Sequence, residues 1–269
     1  MIAAVLAEDV GAGDLTTEAI VPEQQTAVAE IVVREAGVIC GLAEAAAVFR
    51  ELDPQIVLEA VVEEGAAVDR VPFAAARLAG SARAILTGER TALNLLQRMS
   101  GIATATRRYV LAVDGTGCQI LDTRKTAPGL RALDKRAVRL GGGTNHRSGL
   151  DDAVLIKDNH IAIGGGIAAA VAAVRRARPG TPVEVEVDTL DQLDEALATG
   201  AETVLLDNMG IPAMAEAVAR TAGRARLEAS GGVTLDSVRR IAETGVDAIS
   251  VGALTHSVRG LDIALEVQP

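Results

Sequence analysis

The sequence predicts an α/β fold in which a βα-repeat half follows a smaller α+β domain. Three observations predict it. From residue 119 onward, short apolar runs alternate with amphipathic stretches at roughly 20–30-residue intervals, the spacing of βα units around a parallel sheet. Hydrophobic residues make up 49% of the 269 residues, yet Phe49, Phe73 and Tyr109 are the whole aromatic set. The core is therefore Ala, Val, Leu and Ile, suited to helices packed tightly on a sheet. Third, VEVEV (183–187) puts Glu184 and Glu186 on one strand face and three valines on the other. Of the two βα architectures, barrel or open doubly wound sheet, that alternation favours a barrel with polar groups in its lumen.

The elements follow in order. A helix before Glu8 is only about seven residues, too short to stand without packing. TAVAEIVVREAGVI (26–39) and QIVLEAVVEEGAAV (55–68) are β-rich and flank a helix over 42–52. Residues 81–113 read as a long helical region broken at Gly101. Strands are expected at 118–122, 153–157, 183–187, 203–207, 226–230 and 248–252. Helices are expected at 128–141, 164–178, 189–199, 211–222, 234–244 and 256–266. This gives an α+β domain over 1–100 and a βα-barrel domain over 101–256, with a C-terminal helix (257–269) packing on the first.

Charge and composition narrow the function. Lys+Arg number 26 and Asp+Glu 36, a net charge of −10. At that charge, bulk binding to nucleic-acid phosphates is disfavoured, and no aromatic platform exists for stacking bases. No apolar run is long enough to span a membrane, and Glu8 and Asp9 interrupt the N-terminus too early for a signal peptide. Cys40 and Cys118 make no zinc or redox motif, which points to a reducing cytoplasm. One stretch reverses the overall acidity. All three lysines, Lys125, Lys135 and Lys157, fall within 33 residues, and segment 121–160 carries eight Lys/Arg against five Asp/Glu. Arg131, Lys135, Arg136 and Arg139 read as a solvated helix face. Arg124, Lys125, Arg147 and Lys157 lie instead near strand ends or a Gly-rich turn, and imply a small polyanionic substrate.

The strand ends locate the chemistry. Thr123-Arg124-Lys125 follows the first repeat strand and Lys157 ends the second. Glu186 ends the third, Asp207 the fourth, Ser230-Gly231-Gly232 the fifth and Gly252 the sixth. In βα barrels the C-terminal strand ends surround the active site. The SGG and GALTHS loops offer backbone N–H groups at helix starts, where a phosphate monoester can bind. Plain capped turns are the alternative for each. Glu186 and Asp207 are candidate ligands for a hard cation such as Mg²⁺, or lumen carboxylates neutralised by Lys125 and Lys157. His146 and Arg147 form a second cluster in GGGTNHRSG. His160 and His256 are read as capping or core residues at least as readily as ligand contacts. Gly141–Gly143 fits a helix C-cap, and Gly164–Gly166 a turn.

Six segments carry a resemblance: GERTALNLLQRMSGIAT, DTRKTAPGLRALDKRAVRLGGGTNHRSGLDDAVLIKDNH, VEVEVDTLDQLDEAL, LLDNM, LEASGGVT and GVDAISVGALTHS. Together they resemble the quinolinate phosphoribosyltransferase family, from about Glu8 to the C-terminus. The resemblance implies the type II phosphoribosyltransferase architecture, an N-terminal α+β sandwich domain followed by an incomplete βα barrel, assembled as a head-to-tail homodimer. It implies transfer of phosphoribosyl from phosphoribosyl pyrophosphate to quinolinate with Mg²⁺, giving nicotinate mononucleotide, pyrophosphate and CO₂. Arg124, His146, Arg147 and a partner's Arg90 would hold the dicarboxylate, with Lys125 and Lys157 nearby. Glu186 and Asp207 would take the ribose hydroxyls and Mg²⁺. Ser230, Gly231, Gly232 and Gly252 would take the 5′-phosphate, and Thr123 would join the substrate wall. Lys125, Lys157, Glu186 and Asp207 are the expected catalytic groups. The N-terminus is shorter than is usual among such relatives. Three other readings stay open on the residues alone: a same-fold transferase acting on another acid, a Schiff-base aldolase using Lys125 or Lys157, and a binding protein without turnover.

Overall fold

The computed structural model describes residues 1–268 and divides into two compact units. One comprises Met1–Arg107, Ala127–Gly142 and the chain from Ser257. The other comprises Arg108–Thr126 and Gly143–His256.

The first unit opens with α1 (Ile2–Val10) and α2 (Leu15–Ile20). Asp14 caps α2 by accepting the Thr17 N–H at 2.9 Å, which holds its carboxyl below the usual range. Then come β1 (Thr26–Val33), β2 (Gly37–Val38), α3 (Leu42–Leu52), β3 (Val57–Ala60), β4 (Ala67–Val68), β5 (Phe73–Ser81) and α4 (Ala82–Ala112). The helix expected over 42–52 is α3, and α1 packs on it through the buried Leu6. β5 has no counterpart in the sequence reading, because FAAARLAGS lacks β-branched residues. Its place is fixed by antiparallel pairing with β1 and β3.

α4 is one continuous 31-residue helix, so the break expected at Gly101 is absent. A Cβ at Gly101 would lie 2.1 Å from the Arg259 carbonyl oxygen. The glycine serves the close approach of that backbone and does not interrupt the helix.

After α4 the chain forms β6 (Gln119–Leu121), α5 (Arg131–Leu140), β7 (Val154–Ile156), α6 (Asp158–Gly164), α7 (Ile167–Ala177) and β8 (Val183–Val187). There follow α8 (Leu190–Ala198), β9 (Thr203–Asp207), α9 (Ile211–Thr221), β10 (Arg226–Ser230), α10 (Leu235–Ala242), β11 (Ala248–Ser250), α11 (Ala253–His256) and β12 (Ile263–Gln268). The helix expected over 256–266 and 257–269 is therefore replaced by a four-residue helix and a strand. Ile263, Leu265 and Val267 alternate with polar or small residues, a period of two. β12 pairs antiparallel with β1 and completes the sheet β12-β1-β5-β3.

α5 belongs to the first unit. Its basic residues are not a uniformly solvated face. Lys135 is buried, and Arg136 makes ion pairs with Glu44 and Glu64. Asp134, fully buried, accepts two hydrogen bonds from Arg98 at 2.8 Å each.

The second unit holds six parallel strands in the order β6-β11-β10-β9-β8-β7. Chain neighbours are sheet neighbours everywhere except between β6 and β7, and β6 pairs with the last strand, β11. That order is a barrel interrupted at one position. A single bridge, Leu121 to Thr144, reaches across from β6. Val183, Val185 and Val187 are buried against the outer helix layer, and the alternate residues face the lumen.

Candidate active site

Period-two alternation sets which side chains meet. Leu155 and Lys157, Leu205 and Asp207, Glu228 and Ser230, and Ser250 project from four strands into one cavity, joined there by Glu186 from β8. Thr123, Arg124, Lys125, His146 and Arg147 close its rim. The cavity measures about 230 Å³. Of the residues predicted from sequence, Thr123, Arg124, Lys125, His146, Arg147, Lys157, Glu186, Asp207 and Ser230 line it. Gly252 stands at its edge, where a Cβ would meet the Lys125 stem and the His256 ring. Gly231 and Gly232 follow Ser230. Arg90 lies in the other unit, exposed on α4, with no hydrogen bond or ion pair among the described residues.

The cations are fixed by short local contacts. Lys157 Nζ donates to Glu186 Oε2 at 2.9 Å, and the Lys125 N–H donates to Thr123 Oγ1. Arg147 is lowered from its ordinary pKa, first by burial and then by the Arg124 guanidinium beside it. Glu184, Asp152 and Glu186 pull the other way. The loop after Arg147 is tied by Asp152, which accepts the Ser148 and Gly149 N–H groups. Those two bonds hold its carboxyl below the usual range.

On the opposite side, the Asn208 N–H donates to the Ser230 carbonyl and its amide to Asp207 Oδ2. Gly231 has φ +97°, and a Cβ there would lie 2.1 Å from Asn208 Oδ1, so only glycine fits. The Gly231 and Gly232 N–H groups make no backbone hydrogen bond among the described residues, and Thr234 caps α10 shortly after them. Such free amides ahead of a helix suit an anion.

Below the rim sits a cluster only partly anticipated. His146 Nε2 donates to Glu184 Oε2 at 3.0 Å and lies 3.6 Å from Glu228 Oε2. Its Nδ1 accepts the Arg147 N–H at 2.8 Å. Burial draws the His146 pKa down, but the Glu184 hydrogen bond and the charges of Glu228 and Glu184 raise it on balance. Burial and the neighbouring Glu184 push the Glu228 carboxyl up to about 7, against the lowering effect of His146. Asp122, also fully buried, accepts the His146 N–H at 2.8 Å and the Asn145 amide. Sequence reading passed over Glu228 and Asp122. The signal for Glu228 was its position two residues before Ser230 on one strand face.

Two other predicted groups lie elsewhere. His160 Nδ1 accepts the Lys157 N–H and starts α6. Cys40 and Cys118 are free and buried, and burial raises both thiols, Cys118 to about 12. No helix among the described residues is long and apolar enough to cross a membrane.

The fold and this site agree with what comparison finds. Residues 14–100 match the N-terminal domain of quinolinate phosphoribosyl transferase, and residues 102–266 match its C-terminal domain. The chain belongs to the quinolinate phosphoribosyltransferase family. It is 50% identical over 270 residues to the carboxylating nicotinate-nucleotide pyrophosphorylase of Mycobacterium leprae, covering 97% of this chain and 94% of that one. The solved nicotinate-nucleotide pyrophosphorylase of Francisella tularensis superposes with a TM-score of 0.95 at 42% identity, over 99% and 94% of the two chains. The corresponding structure from Ehrlichia chaffeensis gives 0.96 at 39% identity, over 99% and 97%. Family membership makes the chain a phosphoribosyltransferase and removes the aldolase and binding-protein readings.

Proposed function

We propose that the cavity of the second unit joins quinolinate to phosphoribosyl pyrophosphate, releasing pyrophosphate and CO₂ and leaving nicotinate mononucleotide, the step that enters NAD biosynthesis. The observation that carries this reading is the gathering of Arg124, Lys125, Arg147 and Lys157 around one small cavity with Glu186, Asp207 and Ser230. Ser230 is followed directly by the Gly231 and Gly232 amides, which make no backbone hydrogen bond among the described residues. The guanidinium forks match the carboxylates of a dicarboxylic acid, and Arg90 of a partner subunit in a homodimer would complete the grip. The Ser230–Gly232 and Gly252 loops hold the 5′-phosphate.

Glu186 and Asp207 orient the ribose hydroxyls. They also fit Mg²⁺. Lys157 and Asn208 occupy one oxygen of each, and Glu186 Oε1 and Asp207 Oδ1 keep no hydrogen-bond partner among the described residues. Two hard carboxylates completed by substrate phosphates are a set that magnesium favours. When bound there, Mg²⁺ supplies positive charge to the departing pyrophosphate. Lys125 and Lys157 act in the same direction, as fixed charges where negative charge gathers on the leaving group. Thr123 Oγ1 holds the Lys125 backbone in place for that task.

The enzyme works in the cytoplasm on small, free metabolites. The test is product formation from quinolinate and phosphoribosyl pyrophosphate with and without Mg²⁺, with nicotinate as the control acceptor. Mg²⁺-dependent release of CO₂ with nicotinate mononucleotide, and little reaction with nicotinate, is expected. Reaction with nicotinate in preference to quinolinate would overturn the choice of acceptor.

A further inference from the structure

His146 lies in the cavity wall, yet both of its ring nitrogens are engaged inside the protein. Nδ1 accepts the N–H of Arg147, the next residue, at 2.8 Å, and an acceptor nitrogen carries no proton. Nε2 therefore holds the ring's proton and directs it at Glu184 Oε2, 3.0 Å away, with Glu228 Oε2 at 3.6 Å behind it. The main chain on either side is equally constrained. Asp122 accepts the His146 N–H and the Asn145 side chain, and Thr144 exchanges hydrogen bonds with Ile120 and Asp122. Two acids thus face one imidazole, a third holds the His146 backbone, and the imidazole in turn accepts the Arg147 N–H.

We propose that Glu184, Glu228 and Asp122 are positioning residues that hold His146 as a strut behind Arg147. The imidazole then acts on the dicarboxylate through the Arg147 guanidinium and not through a ring N–H of its own. This rests on the reading of the cavity as a dicarboxylate site. The donor atoms of His146, Glu184 and Glu228 lie within 4.8 Å of one another, near enough to cup a cation. The Arg124 and Arg147 guanidiniums nearby oppose a second positive centre, and the Nε2–H already fills the space between the ring and Glu184.

The chain has only three histidines, so ¹⁵N-histidine NMR reads the ring directly. In the wild-type protein at alkaline pH, above the raised titration of His146, the ring should show the tautomer protonated at Nε2, and added quinolinate should leave Nδ1 unprotonated. A neutral ring that carries its proton on Nδ1, or an Nδ1 that gains a proton on quinolinate binding at that pH, would overturn the proposal. That arm needs no turnover, so it stands apart from the identity of the substrate. A wild-type enzyme that binds and turns over no quinolinate would instead overturn the functional reading.

In kinetics, Glu184→Ala should raise the quinolinate KM roughly 10- to 100-fold, the scale of an ångström-sized misplacement of a gripping group, while the phosphoribosyl pyrophosphate KM moves less than about twofold. Glu184→Gln keeps an oxygen acceptor and should recover most of the loss. Equal rises in both KM values, or a fall in kcat alone, would refute the strut. If Glu184→Ala does not fold, the wild-type tautomer still decides.

Discussion

Replacing Glu228 with glutamine tests the buried cluster where its energetics are most exposed to measurement. The carboxyl has an ordinary value of 4.5, and burial with the charge of Glu184 raises it to about 7 in the folded chain. Between those values the folded protein binds a proton that the unfolded chain releases. The contribution is therefore fully present below about pH 4.5 and is lost as the pH climbs through 7. A displacement of about 2.5 pH units at 1.36 kcal/mol each makes the loss on the order of 3 kcal/mol. Glutamine has nearly the same shape and cannot ionise. Glu228→Gln and the wild type should melt close together at pH 5, and by pH 8 the variant should be the more stable. At roughly 2–4 °C per kcal/mol, the difference between their melting temperatures should swing by roughly 6–12 °C over that range. Scanning calorimetry of both proteins at pH 5, 6, 7 and 8 measures it. Parallel curves, or a swing in favour of the wild type, would show that Glu228 is not a buried acid holding a proton.

Three further outcomes follow from other contacts. Asp134→Ala removes the fully buried acceptor of the paired Arg98 hydrogen bonds, and should cost about 3 kcal/mol in urea unfolding. A loss below about 1 kcal/mol would mean that water replaces the carboxylate freely. Gly101→Ala would place a methyl 2.1 Å from the Arg259 carbonyl, so roughly 3 kcal/mol or more of destabilisation is expected, read as a lowered melting temperature. Lys157→Met removes a cavity cation and its Glu186 contact, and should lower kcat/KM by roughly 10²–10³-fold with the circular dichroism spectrum unchanged.

Much of the second unit was legible in the sequence because its signals are local. VEVEV, TVLLD and RLEAS have the period of strands, and the polar residues that end them mark the lumen. The cationic rim was legible for the same reason: Arg124, Lys125, Arg147 and Lys157 sit where a strand stops or a glycine turns. The failures arise where a distant partner decides. FAAARLAGS becomes β5 because β1 and β3 supply its hydrogen bonds, and residues 263–268 become a strand because β1 has an open edge. Gly101 looked like a breaker because its reason, the Arg259 carbonyl, lies far along the chain. Lys135 and Arg136 read as solvated because nothing near them in sequence announces Glu44 or Glu64. Glu228 was missed because a lone acid in a strand gives no sign of the histidine it will face.

The chain makes one excursion with a consequence for how the protein can be divided. Arg124 and Lys125 precede it, His146 and Arg147 follow it, and residues 127–142 between them, including α5, pack with the first unit. No two cuts release the interrupted barrel as a continuous piece with its own sequence intact. A fragment spanning residues 108–256 would carry α5 along without Arg98, Glu44 and Glu64, leaving Asp134 and Arg136 without the charges that face them. The two halves of the cationic rim are thus the two ends of a loop whose fold is supplied by another part of the chain. Damage to a helix far from substrate in sequence role, such as α5, would reach the rim through the backbone itself.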